Sequence, residues 1–103
     1  MYIRLTYLTT SSDQKDLIKR IYTEEIVPVV KKQKGNLGVR LLESSKDDGA
    51  FISETEWESA ELADLYQASG TYQSLVDKLK DTYTSKPVLK TFNVVESQVA
   101  VAY

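Results

Sequence analysis

The order of strand-like and helix-like patterns is the feature that most constrains the fold of this 103-residue sequence. Residues 2–8 alternate like a strand, and an apolar pattern with helical spacing follows from residue 17 to residue 30. Two more alternating runs, 37–42 and 50–57, flank a turn sequence at residues 46–49 and predict a hairpin. Two short helical patterns and a strand at residues 89–95 complete the chain. This order predicts an α+β fold, a ferredoxin-like sandwich with a four-stranded antiparallel sheet (β-α-β-β-α-α-β).

Capping and breaking residues predict where the helices begin and end. The polar residues 11–13 can cap the first helix, and Gly35 can end it. Pro28 lies inside that helix and predicts a kink or a break, because proline has no N–H to donate. Ser59 can cap the next helix, which we expect to end at Gly70. The last helix starts at Ser69 or shortly after it.

The predicted strands carry apolar residues on both of their faces. Phe51 and Trp57 fall on one face of the third strand, and Ile52 falls on the other. Helices in this fold cover one face of the sheet only, so a second copy of the chain is expected to cover the other, as a homodimer. Cavities are then expected between sheet and helices. We expect residues 1–103 to form one domain, with the apolar tail at residues 97–103 as a possible fifth strand.

Composition excludes several classes of function. The sequence has no Cys and no His, which removes thiolate chemistry, the commonest zinc ligand and the usual haem ligand, so no metal or cofactor is predicted. Thirteen basic and 15 acidic residues, without a basic block, argue against nucleic acid as a partner. The sequence shows neither a signal peptide nor a membrane span, which predicts a cytoplasmic protein that does not bind membranes.

Two stretches resemble the antibiotic biosynthesis monooxygenase family of dimeric α+β barrels. The first is IVPVVKKQKGNLGVRLL at residues 26–42, and the second combines Trp57-Glu-Ser with the helix start Ser69-Gly-Thr-Tyr72. The resemblance extends from residue 2 to about residue 96. It implies a cofactor-independent oxygenase that acts on an electron-rich phenol, quinol or anthrone. Many relatives carry His where this sequence has Tyr66 and Thr71, so a His-ligated haem is not expected.

The resemblance implies a pocket for a small aromatic ligand between sheet and helices. Trp57, Tyr66 and Phe51 are its expected substrate-binding residues, and Tyr72 and Arg40 its expected catalytic residues. Each aromatic residue has an alternative interpretation, because Trp57 can seal the core and tyrosine rings can pack with their hydroxyls toward water.

Charged residues on the strands also have two interpretations. Arg40 and Arg4 can point into the dimer side and stabilise a phenolate or superoxide, with Glu54 and Glu56 as ion partners or as a base. The same residues can instead form solvated ion pairs on an exposed face.

Three functions are therefore compatible with the sequence. The first is the cofactor-independent monooxygenase, and the second is a non-enzymatic ligand-binding or regulatory dimer of the same fold. The third is an isomerase or decarboxylase, which needs a carboxylate such as Glu54 buried near the pocket.

Overall fold

Two central strands, β1 (Tyr2–Thr9) and β3 (Ala50–Trp57), form the middle of the sheet in the computed structural model, which describes residues 1–95. β2 (Asn36–Glu43) pairs with β3, and β4 (Val88–Asn93) pairs with β1. All pairs are antiparallel, and the strand order is β2-β3-β1-β4. The ferredoxin-like α+β fold predicted from the sequence is confirmed. The predicted strand at residues 97–103 lies outside the described residues.

Of the kink or break that the sequence predicts at Pro28, the break does not occur, because the first helical segment continues through the proline. A wide π-helical turn directly precedes the proline segment. Because proline cannot donate to the carbonyl four residues earlier, a turn with five-residue hydrogen bonds accommodates it while the chain stays helical. The segment consists of a 3₁₀ turn (Ser12–Gln14), α1 (Lys15–Ile21), the π turn (Tyr22–Ile26) and α2 (Val27–Val30).

Two short helices, α3 (Ala60–Gln67) and α4 (Gly70–Leu79), follow β3. The predicted cap of α3 is confirmed, since the hydroxyl of Ser59 accepts from the backbone N–H of Leu62 at 3.3 Å. The prediction that Gly70 ends α3 is wrong, because Gly70 is the first residue of α4. Ser69 has extended backbone angles and accepts from the N–H of Tyr72, so it caps α4 and separates the two helices.

Alternation along the strands gives the sheet two distinct faces. We call the face that packs against the helices the covered face; its residues on the central strands are Tyr2, Arg4, Thr6, Leu8, Phe51, Ser53, Thr55 and Trp57. We call the opposite one the open face; it includes Ile3, Leu5, Tyr7, Gly38, Arg40, Leu42, Ile52, Glu54, Glu56, Val88, Lys90 and Phe92. Four large apolar residues of the open face are exposed in the single chain: Tyr7, Leu42, Val88 and Phe92.

The hairpin between β2 and β3 has the turn chemistry that the sequence predicts. Asp47 and Gly49 both have positive φ, of 54° and 79°. Gly49 also passes so close to the carbonyl oxygen of Thr10 that a side chain there has no space. Within residues 1–95, no helix has the length and the apolar character that crossing a membrane requires.

Candidate functional site

A partly enclosed cavity of about 80 Å³ lies between the covered face and the helices. Every layer of the fold contributes to its wall, which includes both polar groups on the strands and apolar groups on the helices. The lining residues are Arg4, Thr6, Leu8, Tyr22, Ile26, Val30, Ser53, Thr55, Tyr66, Tyr72, Leu75, Val76, Leu79 and Tyr83. The cavity predicted between sheet and helices is therefore present.

Arg4 is the only charged residue among those lining residues. It is 4% exposed, and its Nη1 is buried without a hydrogen-bond partner among the described residues. Its cross-strand neighbours are Thr55 and Thr91, neither of which carries a charge. The guanidinium lies 5.5 Å from the centroid of the Tyr72 ring, within cation–π range. The cavity thus contains a positive charge that no carboxylate among its described lining residues balances.

Three aromatic rings form a continuous row that ends at this guanidinium. Trp57 stacks on Tyr66 with a centroid distance of 5.1 Å and an interplanar angle of 28°. Tyr66 meets the edge of Tyr72 at 5.3 Å and 85°. The indole N–H of Trp57 donates to the hydroxyl of Thr55 at 2.9 Å, which fixes the first ring of the row. Tyr66 and Tyr72 are therefore held in place from both ends.

Three tyrosines of the wall, Tyr22, Tyr66 and Tyr83, are protonated around neutral pH. Burial raises the pKa of Tyr22 to about 12 and that of Tyr83 to about 12. Burial also raises the pKa of Tyr66 far above its usual range. The hydroxyl of Tyr22 donates to the carbonyl of Arg40 at 3.2 Å and lies 2.7 Å from the hydroxyl of Ser53. These phenols can donate hydrogen bonds to a ligand, but they are poor bases.

The structure brings together two of the predicted site residues, Tyr66 and Tyr72, which both line the cavity. Trp57, at 0% exposure, lies behind Tyr66 and is not part of the wall. Phe51, at 1% exposure, packs in the core and does not line this cavity either. Trp57 therefore lies in the core beneath the cavity, which agrees with its alternative interpretation. Phe51 lies in the core as well.

Arg40 lies on the open face, separated from the cavity by the sheet. Its side chain is 67% exposed, and its Nε lies 2.5 Å from a carboxylate oxygen of Glu54. This hydrogen bond and the charge of Glu54 raise the pKa of Arg40. Period-2 alternation places Arg4 on the covered face with Leu8, so Arg4, and not Arg40, reaches the aromatic rings.

Glu54 also lies on the open face, where it pairs with Arg40. The third function, an isomerase or decarboxylase, needs a carboxylate such as Glu54 buried near the cavity; Glu54 is buried, but it lies on the opposite side of the sheet and does not line the cavity. Among residues 1–95, no group of three or more acidic side chains is arranged to hold a metal ion.

Sequence reasoning missed Tyr22, Thr55 and Tyr83 as cavity residues, and it considered Arg4 only for the dimer side. One available signal was the position of Arg4, which shares its strand face with Leu8 and Tyr2. Another was the spacing of Tyr22, four residues after Ile18 and four before Ile26. Both signals follow from simple periodicity.

The arrangement defines a class: a ferredoxin-like α+β protein with an aromatic cavity between sheet and helices. The model of the antibiotic biosynthesis monooxygenase family matches residues 1–78, and the chain belongs to this family. The resemblance noted in the sequence is thus confirmed. The chain has no match among curated proteins.

Solved structures show the same fold at low sequence identity. A protein from Deinococcus radiodurans that is named after this family is 16% identical, with a TM-score of 0.85 over 99% of this chain and 100% of that chain. A protein from Nitrosomonas europaea, also named after the family, is 17% identical, with a TM-score of 0.81 over 93% and 100%. A variant of MhuD with two manganese protoporphyrin IX molecules bound per active site is 19% identical, with a TM-score of 0.79 over 97% and 100%.

Proposed function

We propose that this protein binds a small aromatic compound in the cavity and oxidises it with molecular oxygen, without a cofactor. The observation that carries the proposal is the buried guanidinium of Arg4 beside the rings of Tyr66 and Tyr72, whose Nη1 has no hydrogen-bond partner among residues 1–95. Membership of a monooxygenase family supports the reaction class.

The proposed chemistry relies on the substrate as its own reductant. An electron-rich phenol or quinol that has lost its proton transfers one electron to oxygen and leaves a phenoxyl radical and superoxide. Their combination forms a carbon–oxygen bond, and loss of water from the protonated hydroperoxide leaves a quinone. Negative charge is present on the phenolate first and on the oxygen species afterwards, so a fixed guanidinium nearby lowers the energy of both states.

Three wall residues and Trp57 behind them have defined parts in this proposal. Arg4 replaces Arg40 as the charged helper, because Arg4 alone of the two lies in the cavity. Tyr72 and Tyr66 orient the substrate ring, and Trp57 holds Tyr66 from behind. No described wall residue is acidic, so the substrate proton passes to water, helped by the effect of Arg4 on the substrate pKa.

Porphyrin chemistry does not fit these residues. The MhuD variant binds manganese protoporphyrin IX. A cavity of about 80 Å³ suits one aromatic ring and is far too small for a macrocycle. The sequence also has no histidine to serve as an axial ligand, and Tyr66 is stacked against Trp57.

The proposal includes a second copy of the chain on the open face. This face combines exposed apolar side chains, such as Tyr7 and Phe92, with the Arg40–Glu54 ion pair near its centre. In a two-fold dimer, the open faces of two copies pack against each other, and each copy buries the apolar side chains of the other.

A second candidate function is ligand binding without catalysis. The absence of an acidic residue from the described wall favours it, because catalysis then depends on water as the proton acceptor.

Oxygen uptake by metal-stripped protein with a panel of phenols, quinols and anthrones distinguishes the two candidates. We expect turnover above the autoxidation blank, lowered by about tenfold or more in Arg4→Met and lowered in Tyr72→Phe. The control is Arg20→Met, an exposed arginine on α1. Binding of a panel compound without oxygen uptake supports the non-catalytic candidate, and uptake that is equal in Arg4→Met refutes the assigned role of Arg4.

A further inference from the structure

We infer that the ligand of this cavity is a single-ring aromatic acid, bound with a planar oxyanion on the guanidinium of Arg4. The inference rests on the part of the proposed function that places an aromatic compound in the cavity, and it adds the charge and the size of that compound. The oxyanion is a carboxylate or a phenolate on the ring.

The cost of burying Arg4 supports an anionic ligand. A guanidinium at 4% exposure loses most of its hydration, and such a group is normally paired with a carboxylate. Here the opposing strand residues are threonines, and none of the described wall residues is acidic. Contact with the Tyr72 ring recovers only part of the lost hydration energy. A bound anion supplies the partner that Nη1 lacks among the described residues.

The shape of the wall supports a planar ring. Tyr66 and Tyr72 meet at 85°, so two ring planes at nearly right angles border the cavity. An aromatic ligand can stack on one and contact the edge of the other while its acid group reaches Arg4. The guanidinium fork matches a carboxylate with two parallel hydrogen bonds, and it can donate to a phenolate oxygen from one side. A volume of about 80 Å³ leaves room for about one ring in the cavity.

The charge of the cavity is stable around neutral pH. The titratable groups that share the wall with Arg4 are the phenols of Tyr22, Tyr66, Tyr72 and Tyr83. Burial raises the pKa of three of them, Tyr22, Tyr66 and Tyr83, which keeps those three neutral. The arginine therefore keeps a positive local field that favours an anion over a neutral compound.

Matched pairs of probes test the inference by calorimetry. The first pair is benzoate and benzamide, and the second is 4-nitrophenolate and nitrobenzene, measured at a pH that ionises nitrophenol. We expect at least one anion to bind about tenfold or more tightly than its neutral partner. The pair that shows the larger ratio identifies the oxyanion as carboxylate or phenolate. Bound 4-nitrophenol should also titrate at a lower pH than the free compound, seen in its visible absorbance.

Variants connect the preference to one side chain. Arg4→Met should lose the preference for the anion, and Arg4→Lys should recover part of it, because lysine keeps the charge without the fork. Arg20→Met, at an exposed position on α1, should behave like the unaltered protein. Circular dichroism of each variant confirms that it is folded. Trp57 is the only tryptophan and stacks on Tyr66, so its fluorescence reports occupation of the cavity by the probes that do not absorb its emission.

Three results overturn the inference: equal affinity for anion and neutral partner, an anion preference that survives Arg4→Met, or no binding of either anion. Oxygen uptake separates this failure from that of the proposed function. If oxygen uptake with neutral substrates persists in Arg4→Met, the protein is an oxygenase that lacks specificity for acids. If anions bind in an Arg4-dependent way but no oxygen is consumed, the inferred specificity for acids stands and the proposed oxygenase activity fails.

Discussion

Arg4 on the covered face is buried and lacks a hydrogen-bond partner for Nη1 within residues 1–95, whereas Arg40 on the open face is mostly exposed and pairs with Glu54 at 2.5 Å. Of the two arginines, the one that loses more hydration is thus the one whose Nη1 has no partner in the described part of the chain. A stable scaffold alone favours the reverse arrangement, because an unpaired buried charge lowers stability. The open face therefore holds a charge that is paired and hydrated, and the covered face keeps a costly group that a ligand can use.

The largest effect should come from truncating neighbouring residues on the two faces of β3. Phe51→Ala should lower the free energy of unfolding by about 3–5 kcal/mol, because it leaves a cavity in the core. Ile52→Ala, on the open face, should cost about 1–2 kcal/mol in the single chain. Urea unfolding at low protein concentration measures both. Equal losses would mean that the two faces are buried alike in the single chain.

A charge on the open face should separate the dimer. Ile3→Lys places an ammonium among apolar residues of that face, next to Glu56 across the strand pair, so the single chain tolerates it. We expect the dimer dissociation constant to rise by roughly thirtyfold or more. Light scattering across a dilution series measures it, and Leu65→Lys, at an exposed position of α3, is the control. An unaltered protein that is monomeric at micromolar concentration would contradict the dimer.

Alkaline pH should destabilise the protein through Tyr22, which packs between the helices and the covered face. Its pKa rises from 10.0 to about 12 on folding because of burial. Between these values the unfolded chain loses the proton while the folded chain keeps it, so the free energy of unfolding falls as pH rises from 10 to 12. The loss is about 2 kcal/mol. Urea unfolding at several pH values should show a smaller slope for Tyr22→Phe than for the unaltered protein, and an identical slope would refute the assignment.

The smallest effects should be on stability, and they should differ in direction between replacement of Arg4 and replacement of Arg40. Arg4→Met should leave stability unchanged or raise it by up to about 1 kcal/mol, because an unpaired buried charge is removed. Arg40→Met should lower stability, because Glu54 has a side-chain exposure of only 11% and loses its ion partner. Thermal unfolding without ligand measures both. A loss of stability in Arg4→Met similar to that in Arg40→Met would show that Arg4 has a structural partner.

The fold was more predictable than the site, for a physical reason. Strand alternation, the turn at residues 46–49 and the cap at Ser59 are local patterns, and local patterns determine the element order. The face on which a strand residue lies is not local when both faces are apolar. Arg4 alternates with Ile3 and Leu5 and shares its own face with Leu8, so only the packing of the helices determines that it is buried.

Neighbouring structure determined the outcome at two positions where local patterns predict a helix interruption. Gly70 is a common kind of helix stop, but the cap formed by Ser69 makes it the first residue of α4. Pro28 normally interrupts a helix, but the π turn before it accommodates the missing N–H. Trp57 has two structural roles, since it packs in the core and also supports the ring of Tyr66 in the cavity wall.

The π turn also limits how the length of this segment can be altered. Its buried residues recur every four positions, at Ile18, Tyr22, Ile26 and Val30. In an ideal α-helix a four-residue step overshoots a full turn by about 40°, and three such steps drift by about 120°. The wider turn reduces this drift, and all four side chains are buried. Deleting one residue between Tyr22 and Ile26 would rotate the two ends by about 100° relative to each other, so this segment is a poor place for engineered deletions.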